Sequence, residues 1–196
     1  MAIDEYITEY EKLFPHLDFD TNTGWGYLPP SEPIMDMCSY IKDEVSPQNM
    51  LEIGYYAGHS TSYFAHYLPD CNIISCCPNH PLYRQTVLGV ERKYPNVKVI
   101  GNKSPEIWEY ILDWTPFDFV FIDGNHASRA VELDTQLAFT VGAKYILFDN
   151  YDQDSVKHGV RYFRPLMKHI KTWDYYAENK FKTKLNSISL YKTLDK

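Results

Sequence analysis

Basic residues are in the minority in this chain. Lys and Arg number 19 against 26 Asp and Glu, a formal net charge of −7. A footprint on nucleic acid or on an anionic membrane surface needs clustered cations to neutralise phosphates, so neither partner is expected. Long apolar runs are also missing. None approaches the 18 residues of a membrane-spanning helix. The stretch M-A-I-D-E-Y-I-T-E-Y-E-K carries acid where a signal peptide carries base, and no apolar core follows it. Cysteine is sparse: Cys38, Cys71, Cys76 and Cys77, with no C-x-x-C pair. These read as free thiols of a reducing compartment, and the expected location is the cytoplasm. Glycine is scarce too, 9 in 196 residues, and neither G-x-G-x-x-G nor a G-K-[S/T] phosphate loop occurs.

What remains is enough for one globular domain with a short extra arm. Hydrophobic residues make up 44% of the chain and charged ones 23%, which excludes a disordered tail. Residues 1–33 read as an N-terminal helix followed by an aromatic, lid-like arm. The arm holds Trp25 and Tyr27 among turn formers. Helical spacing returns over Ile34–Val45. From Met50 a strand–helix rhythm begins, with strands expected at Met50–Gly54, Ile73–Cys77, Val97–Ile100, Phe117–Ile122 and Tyr145–Phe148. Helices are expected at Ser60–Leu68, Leu82–Lys93, from Ser104-Pro105 onward with Trp108, Ile111 and Leu112 inward, and over Ser128–Thr140 with Ala130, Leu133, Leu137 and Val141 aligned. Thr172–Tyr176 and Ser187–Tyr191 alternate, and read as an antiparallel pair at one sheet edge, separated by polar residues. Near-continuous apolar strands divided by helices define an α/β fold with a mostly parallel sheet covered on both faces.

In such a sheet ligands bind beyond the carboxyl ends of the strands. The first strand runs into L-E-I-G-Y-Y-A-G-H-S, where Gly54 and Gly58 permit a tight turn and close approach of a ligand to backbone. Bulky Tyr55 and Tyr56 disfavour a bridging diphosphate and leave a nucleoside ligand. An acid about 20 residues further on normally holds the ribose hydroxyls. Here the second strand ends at Cys77, with Asn79 or His80 as substitutes. Asp123, in I-D-G-N-H, and Asp149-Asn150, in F-D-N-Y-D, end the fourth and fifth strands. On neighbouring strands, two carboxylates and an amide suit Mg²⁺ or another hard divalent cation. Either Asp taken alone reads as a cap for the next helix, whereas the pair together with Asn150 reads as a cation site, so both readings stand at this point. His126 is the candidate general base, because imidazole titrates near neutrality. His158 is a weaker candidate near the fifth strand.

These motifs carry a resemblance. L-E-I-G-Y-Y-A-G-H-S-T is similar to the first motif of class I S-adenosylmethionine-dependent methyltransferases. F-V-F-I-D-G-N-H followed by Y-I-L-F-D-N resembles the metal-dependent small O-methyltransferases of catechol, caffeoyl-CoA and macrolide-sugar type. The resemblance spans about Pro30 to Tyr191. It implies a doubly wound Rossmann-like sheet of seven strands in the order 3-2-1-4-5-7-6, the last antiparallel. It implies S-adenosylmethionine bound near Glu52, Gly54, Gly58, Ser60, Cys77, Asn102 and Asp123, and Mg²⁺ on Asp123, Asp149 and Asn150. His126 falls where catechol-type members place a catalytic lysine. The expected activity is methyl transfer to a hydroxyl of a small molecule, with Trp25, Tyr27 and His158 toward the substrate and a homo-oligomer as a possible assembly. Cys77 and Asn102 replace two acids of the family pattern on the cofactor side. The competing readings are a metal-dependent hydrolase or lyase on the same scaffold, and a non-enzymatic binding protein derived from it.

Overall fold

The computed structural model describes residues 12, 28, 31–78, 81–179 and 182–194, and of 81–85, 105, 177–179 and 182–184 the backbone alone. Of the helix read over residues 1–14 only Lys12 is described, in helical conformation, and Trp25 and Tyr27 lie outside the described residues. Helix α1 spans Glu32–Tyr40 and continues as a π-helical turn, Ile41–Val45. Pro33 sits in its first turn, where the missing N–H is no loss. Ser46 ends it in the left-handed conformation, donating its N–H to Ile41 O at 2.8 Å. Then follow β1 (Asn49–Ile53), α2 (His59–Tyr67), β2 (Asn72–Cys76), α3 (Pro81–Lys93), β3 (Val97–Ile100), α4 (Trp108–Ile111) and β4 (Phe119–Ile122). The chain continues through α5 (Ser128–Thr140), β5 (Tyr145–Phe148), α6 (Asp154–Val160), β6 (Met167–Asn179) and β7 (Lys182–Thr193).

The seven strands form one sheet in the order β3-β2-β1-β4-β5-β7-β6. Strands β1 to β5 pair in parallel, and β7 runs antiparallel to both β5 and β6. This is the expected Rossmann-like methyltransferase topology. Each central strand alternates its side chains between two buried layers, which is why it reads as continuously apolar. On one face Phe119, Phe121, Leu147, Ile188 and Trp173 pack under α1 and α2, with the rings of Phe64 and Phe121 edge to face at 5.3 Å. On the other, Leu51, Val120, Ile122 and Phe148 pack under α4, α5 and α6. Deleting a ring such as Phe121 from this interior would cost about 3–5 kcal/mol.

Several boundaries differ from the sequence reading, each for a local reason. The segment after Ser104 is a broken helix: 3-10 turns at Ser104–Glu106 and Leu112–Trp114 flank the four-residue α4. Its buried residues are Ile107 and Ile111, while Leu112 is exposed and Trp108 half-buried. Ser104 does not cap a helix, because its hydroxyl donates to Asp134 Oδ1 on α5. That bond draws Asp134 inward, so the buried stripe of α5 is Val131, Asp134, Thr135 and Ala138, leading to Val141. The short α6 was not anticipated. Strands β6 and β7 pair from Met167↔Thr193 to Asn179↔Lys182, absorbing the polar residues read as a connecting stretch.

Candidate active site

The parallel ladder delivers three chain segments to one rim. Asp123 N–H donates to Ile53 O at 2.8 Å and Asp149 N–H to Ile122 O at 3.0 Å. The ends of β1, β4 and β5 therefore stand side by side. Gly54 follows β1 at φ +121°, and a Cβ there would lie 2.1 Å from the Asp123 carbonyl oxygen. Gly58 follows at φ +82°, where a Cβ would meet the Tyr55 ring at 2.8 Å. Both glycines are sterically required. Tyr55 does not fill the open side of the turn, as its bulk had indicated. Its ring is buried against Gly58, and its hydroxyl pairs with Thr86 Oγ1 on α3 at 3.0 Å.

Glu52 lies wholly buried behind this turn. Its carboxylate accepts from Ser60 Oγ at 2.5 Å and from the hydroxyls of Thr61 and Ser75, joining β1, β2 and the first turn of α2. Burial pushes its carboxyl up, and the three hydroxyl donors pull it back. His59, at the head of α2, is held neutral by burial, its imidazole pushed down to about 4. Cys77 is buried and directs its thiol to Pro78 O at 3.1 Å, while Asn102 is half-buried in the segment after β3.

At the next two strand ends, Asp123, His126 and Asp149 each present one ligand atom, all within 4.8 Å of one another. His126 Nε2 stands 3.4 Å from Asp123 Oδ1. Burial pushes the Asp123 carboxyl well up, reinforced by the Asp149 charge, a hydrogen bond with Asp149 and the Glu52 charge. Two acids in such proximity need either a shared proton or a cation between them. Neither acts as a helix cap. The N-cap of α5 is Ala127 and that of α6 is Gln153. The turn before α5 is closed by Asn125 Oδ1, which accepts from Ala127 N–H at 3.0 Å.

Asp149 is held on both oxygens. The Tyr175 hydroxyl donates to Oδ1 at 2.9 Å, and Asn150 Nδ2 donates to Oδ2. Gln153 Nε2 in turn donates to Asn150 Oδ1. Asn150 has φ +52°, a left-handed turn that Asn adopts more readily than most residues. Tyr175 is buried, and burial together with the nearby acids pushes its phenol far above the ordinary range. The structure thus unites Asp123, His126, Asp149 and Asn150. His158 stands apart, exposed on the outer side of α6, its Nδ1 2.7 Å from Arg161 Nη1. Tyr175 and Gln153 were not singled out from sequence. Alternation about Trp173 does put Tyr175 on the inward face, but it takes the β5–β7 and β7–β6 registers together to bring it to Asp149.

A family model described as a methyltransferase domain matches residues 51–151, more than half of the chain. The chain belongs to that methyltransferase family. Together with the seven-stranded fold, this makes it an S-adenosylmethionine-dependent methyltransferase. A search of curated proteins finds no sequence match. Among solved structures of the same fold is an O-methyltransferase from Bacillus cereus in complex with SAH. It has TM-score 0.68 and 18% identity, covering 98% of each chain. Another is the O-methyltransferase TomG from Streptomyces achromogenes, involved in tomaymycin synthesis and in complex with SAM. It has TM-score 0.60 and 16% identity, covering 95% of this chain and 88% of that one. A third is precorrin-6y C5,15-methyltransferase from Geobacter metallireducens, with TM-score 0.58 and 14% identity, covering 83% and 88%.

In this methyltransferase the places of the missing Cβ atoms of Gly54 and Gly58 are taken by the Asp123 carbonyl and the Tyr55 ring, so the two glycines set the tight path of the turn at which the cofactor would fit. At Cys77 the fit is poorer, since a buried thiol offers no charged acceptor to a ribose. The Asp123–Asp149 pair, with imidazole beside it, fits a hard divalent cation.

Proposed function

We propose that this methyltransferase transfers the methyl group of S-adenosylmethionine to a hydroxyl of a small molecule, assisted by Mg²⁺ or another hard divalent cation. The observation that carries the reading is the meeting of Asp123, His126 and Asp149 at the ends of adjacent strands, with neither acid capping a helix. The bound groups would supply an electrophilic sulfonium methyl and a charge that lowers the pKa of the acceptor hydroxyl. The chain's own residues do the rest. Gly54 and Gly58 would admit the methionine end of the cofactor, with Glu52 and Ser60 holding the shape of that turn. Cys77 and Asn102 would line the adenosine end, and Asp123 would border both ligands. Asp123, Asp149 and Asn150 would hold the metal. For Asn150 this requires its carboxamide oxygen to exchange Gln153 for the ion.

His126 takes the hydroxyl proton in this reading. Its place beside Asp123 favours a second assignment, as a metal ligand. Trp25, Tyr27 and His158 are proposed for the acceptor side. The partner is a small hydroxyl-bearing molecule rather than nucleic acid, in keeping with the net charge of −7. Among the described residues no helix is long and apolar enough to cross a membrane. A cytoplasmic location and homo-oligomeric assembly belong to the same proposal. Family membership disfavours the hydrolase, lyase and binding-protein alternatives.

The test is metal titration and thermal unfolding measured together. D123N and D149N should each weaken divalent-metal binding by at least about tenfold, with little loss of melting temperature. H126A should keep both ligands and lose turnover by about 10²–10⁴-fold if His126 is the base. Should it lose metal instead, His126 is a ligand. Unaltered metal binding in both Asp variants, with lowered stability, would defeat the metal assignment.

A further inference from the structure

The C-terminal hairpin runs past the sheet. Phe148, the last residue of β5, pairs with Ser189, and Ser189 pairs in turn with Thr172 on β6. Residues of β6 after Thr172, and of β7 before Ser189, therefore project beyond the carboxyl end of β5, where the acids lie. Tyr175 is on this projecting part. It belongs to the outermost strand, with β7 between it and β5, and its hydroxyl reaches back across β7 to Asp149 Oδ1 at 2.9 Å. The same stretch is tied to the loop after β5. Tyr151 N–H donates to Ser187 O at 2.8 Å, and Ser187 N–H donates to Asp152 Oδ1 at 3.1 Å. Asp149 Oδ2 is meanwhile engaged by Asn150. One carboxylate is thus held at each oxygen, by donors from two different elements.

Such restraint discriminates between ions. Ca²⁺ takes six to eight oxygens in flexible geometry and commonly uses both oxygens of a carboxylate. Mg²⁺ demands a smaller, near-octahedral arrangement and takes one or two carboxylates through single oxygens. A carboxylate with both oxygens already holding donors, and unable to swing, is poorly suited to the bidentate mode. We infer that Tyr175 is a positioning residue that fixes Asp149 for one-oxygen coordination and thereby sets the site's preference for Mg²⁺ over Ca²⁺. The inference rests on the metal reading above. It assigns to the C-terminal hairpin a share in a site otherwise built from the β4 and β5 ends.

The experiment uses the full-length chain. Mg²⁺ and Ca²⁺ affinities are obtained by competition against Mn²⁺, followed by its electron paramagnetic resonance, for wild type, Y175F and D123N. S-adenosylhomocysteine affinity is measured on the same samples. Y175F should lose about tenfold or more in Mg²⁺ affinity. It should lose much less in Ca²⁺ affinity, so that the Mg²⁺/Ca²⁺ ratio falls, while S-adenosylhomocysteine binds as in wild type. Y175M removes the donor with different packing, and the same ratio is read from it should Y175F not fold. A merely structural tyrosine would lower the melting temperature and leave the ratio alone. That result overturns the inference. If wild type binds both ions, D123N abolishes binding and Y175F keeps the wild-type ratio, only this inference fails. If wild type binds neither ion, the metal reading fails with it.

Discussion

Asp134 shows how a single buried side chain writes itself into pH dependence. It is 3% exposed, and its one described hydrogen bond is accepted from Ser104. Burial raises its carboxyl to about 6, against which the Ser104 bond pulls only weakly. Between about pH 4 and 6 the folded chain therefore binds a proton that the unfolded chain has released. Stability falls as pH rises through that window, by about 3 kcal/mol for a two-unit shift. His59 works in the opposite direction. Its folded imidazole titrates at about 4, below the unfolded value, so its contribution is lost as pH falls through about 6.5 to 4. The two slopes oppose one another in the wild type, and D134N separates them. Urea unfolding of D134N at pH 4.5 and 7.0 should show stability rising more steeply with pH than in wild type. At pH 7.0 the variant should equal or exceed wild type, since Asn retains an acceptor for Ser104. A D134N profile parallel to wild type would mean that Asp134 titrates normally.

At the scale of elements, the candidate site depends on how closely the turn after β1 approaches the end of β4. G54A puts a methyl group 2.1 Å from the Asp123 carbonyl oxygen, at a φ that L-residues rarely adopt. Strain and overpacking together should cost roughly 3–5 kcal/mol, with loss of S-adenosylhomocysteine binding in any protein that folds. G124A is the control. Its Cβ would press on Ile53 Cγ2 at 3.2 Å and make ordinary contact with Asp134 Oδ2 and Ile53 O at 3.6 Å, without a left-handed φ, and should cost under about 1 kcal/mol. Equal unfolding midpoints for the two variants would contradict the close approach. The glycines of this turn and the acids at the strand ends were legible in the sequence, because a doubly wound sheet brings all its carboxyl ends to one rim. The strand order followed from the family resemblance. What escaped depends on partners distant in sequence. Tyr175 lies 26 residues from Asp149, and Ser104 lies 30 from Asp134. The ends of β6 and β7 were missed because the hairpin leaves the sheet, so the residues it pairs there are polar. Asp-Ser-Val-Lys-His-Gly-Val forms α6 without a long apolar stripe, and with a glycine in its last turn.

For the molecule as a whole, the parallel part of one mixed sheet places a glycine turn and an acidic cluster on neighbouring strands of a single rim. The proposed account requires cofactor and cation to be bound together there, with the transferable methyl close to the ion. The most direct measurement is the nuclear magnetic relaxation of the S-methyl protons of bound S-adenosylmethionine as Mn²⁺ is titrated into the full-length protein. Paramagnetic relaxation falls off steeply with distance, so it reports the neighbourhood of the two ligands without an acceptor substrate. The account predicts strong broadening in wild type, reversed by excess Mg²⁺, and its loss in D149N while S-adenosylmethionine remains bound. Bound cofactor whose methyl resonance is untouched by Mn²⁺, or broadened equally in D149N, would contradict it.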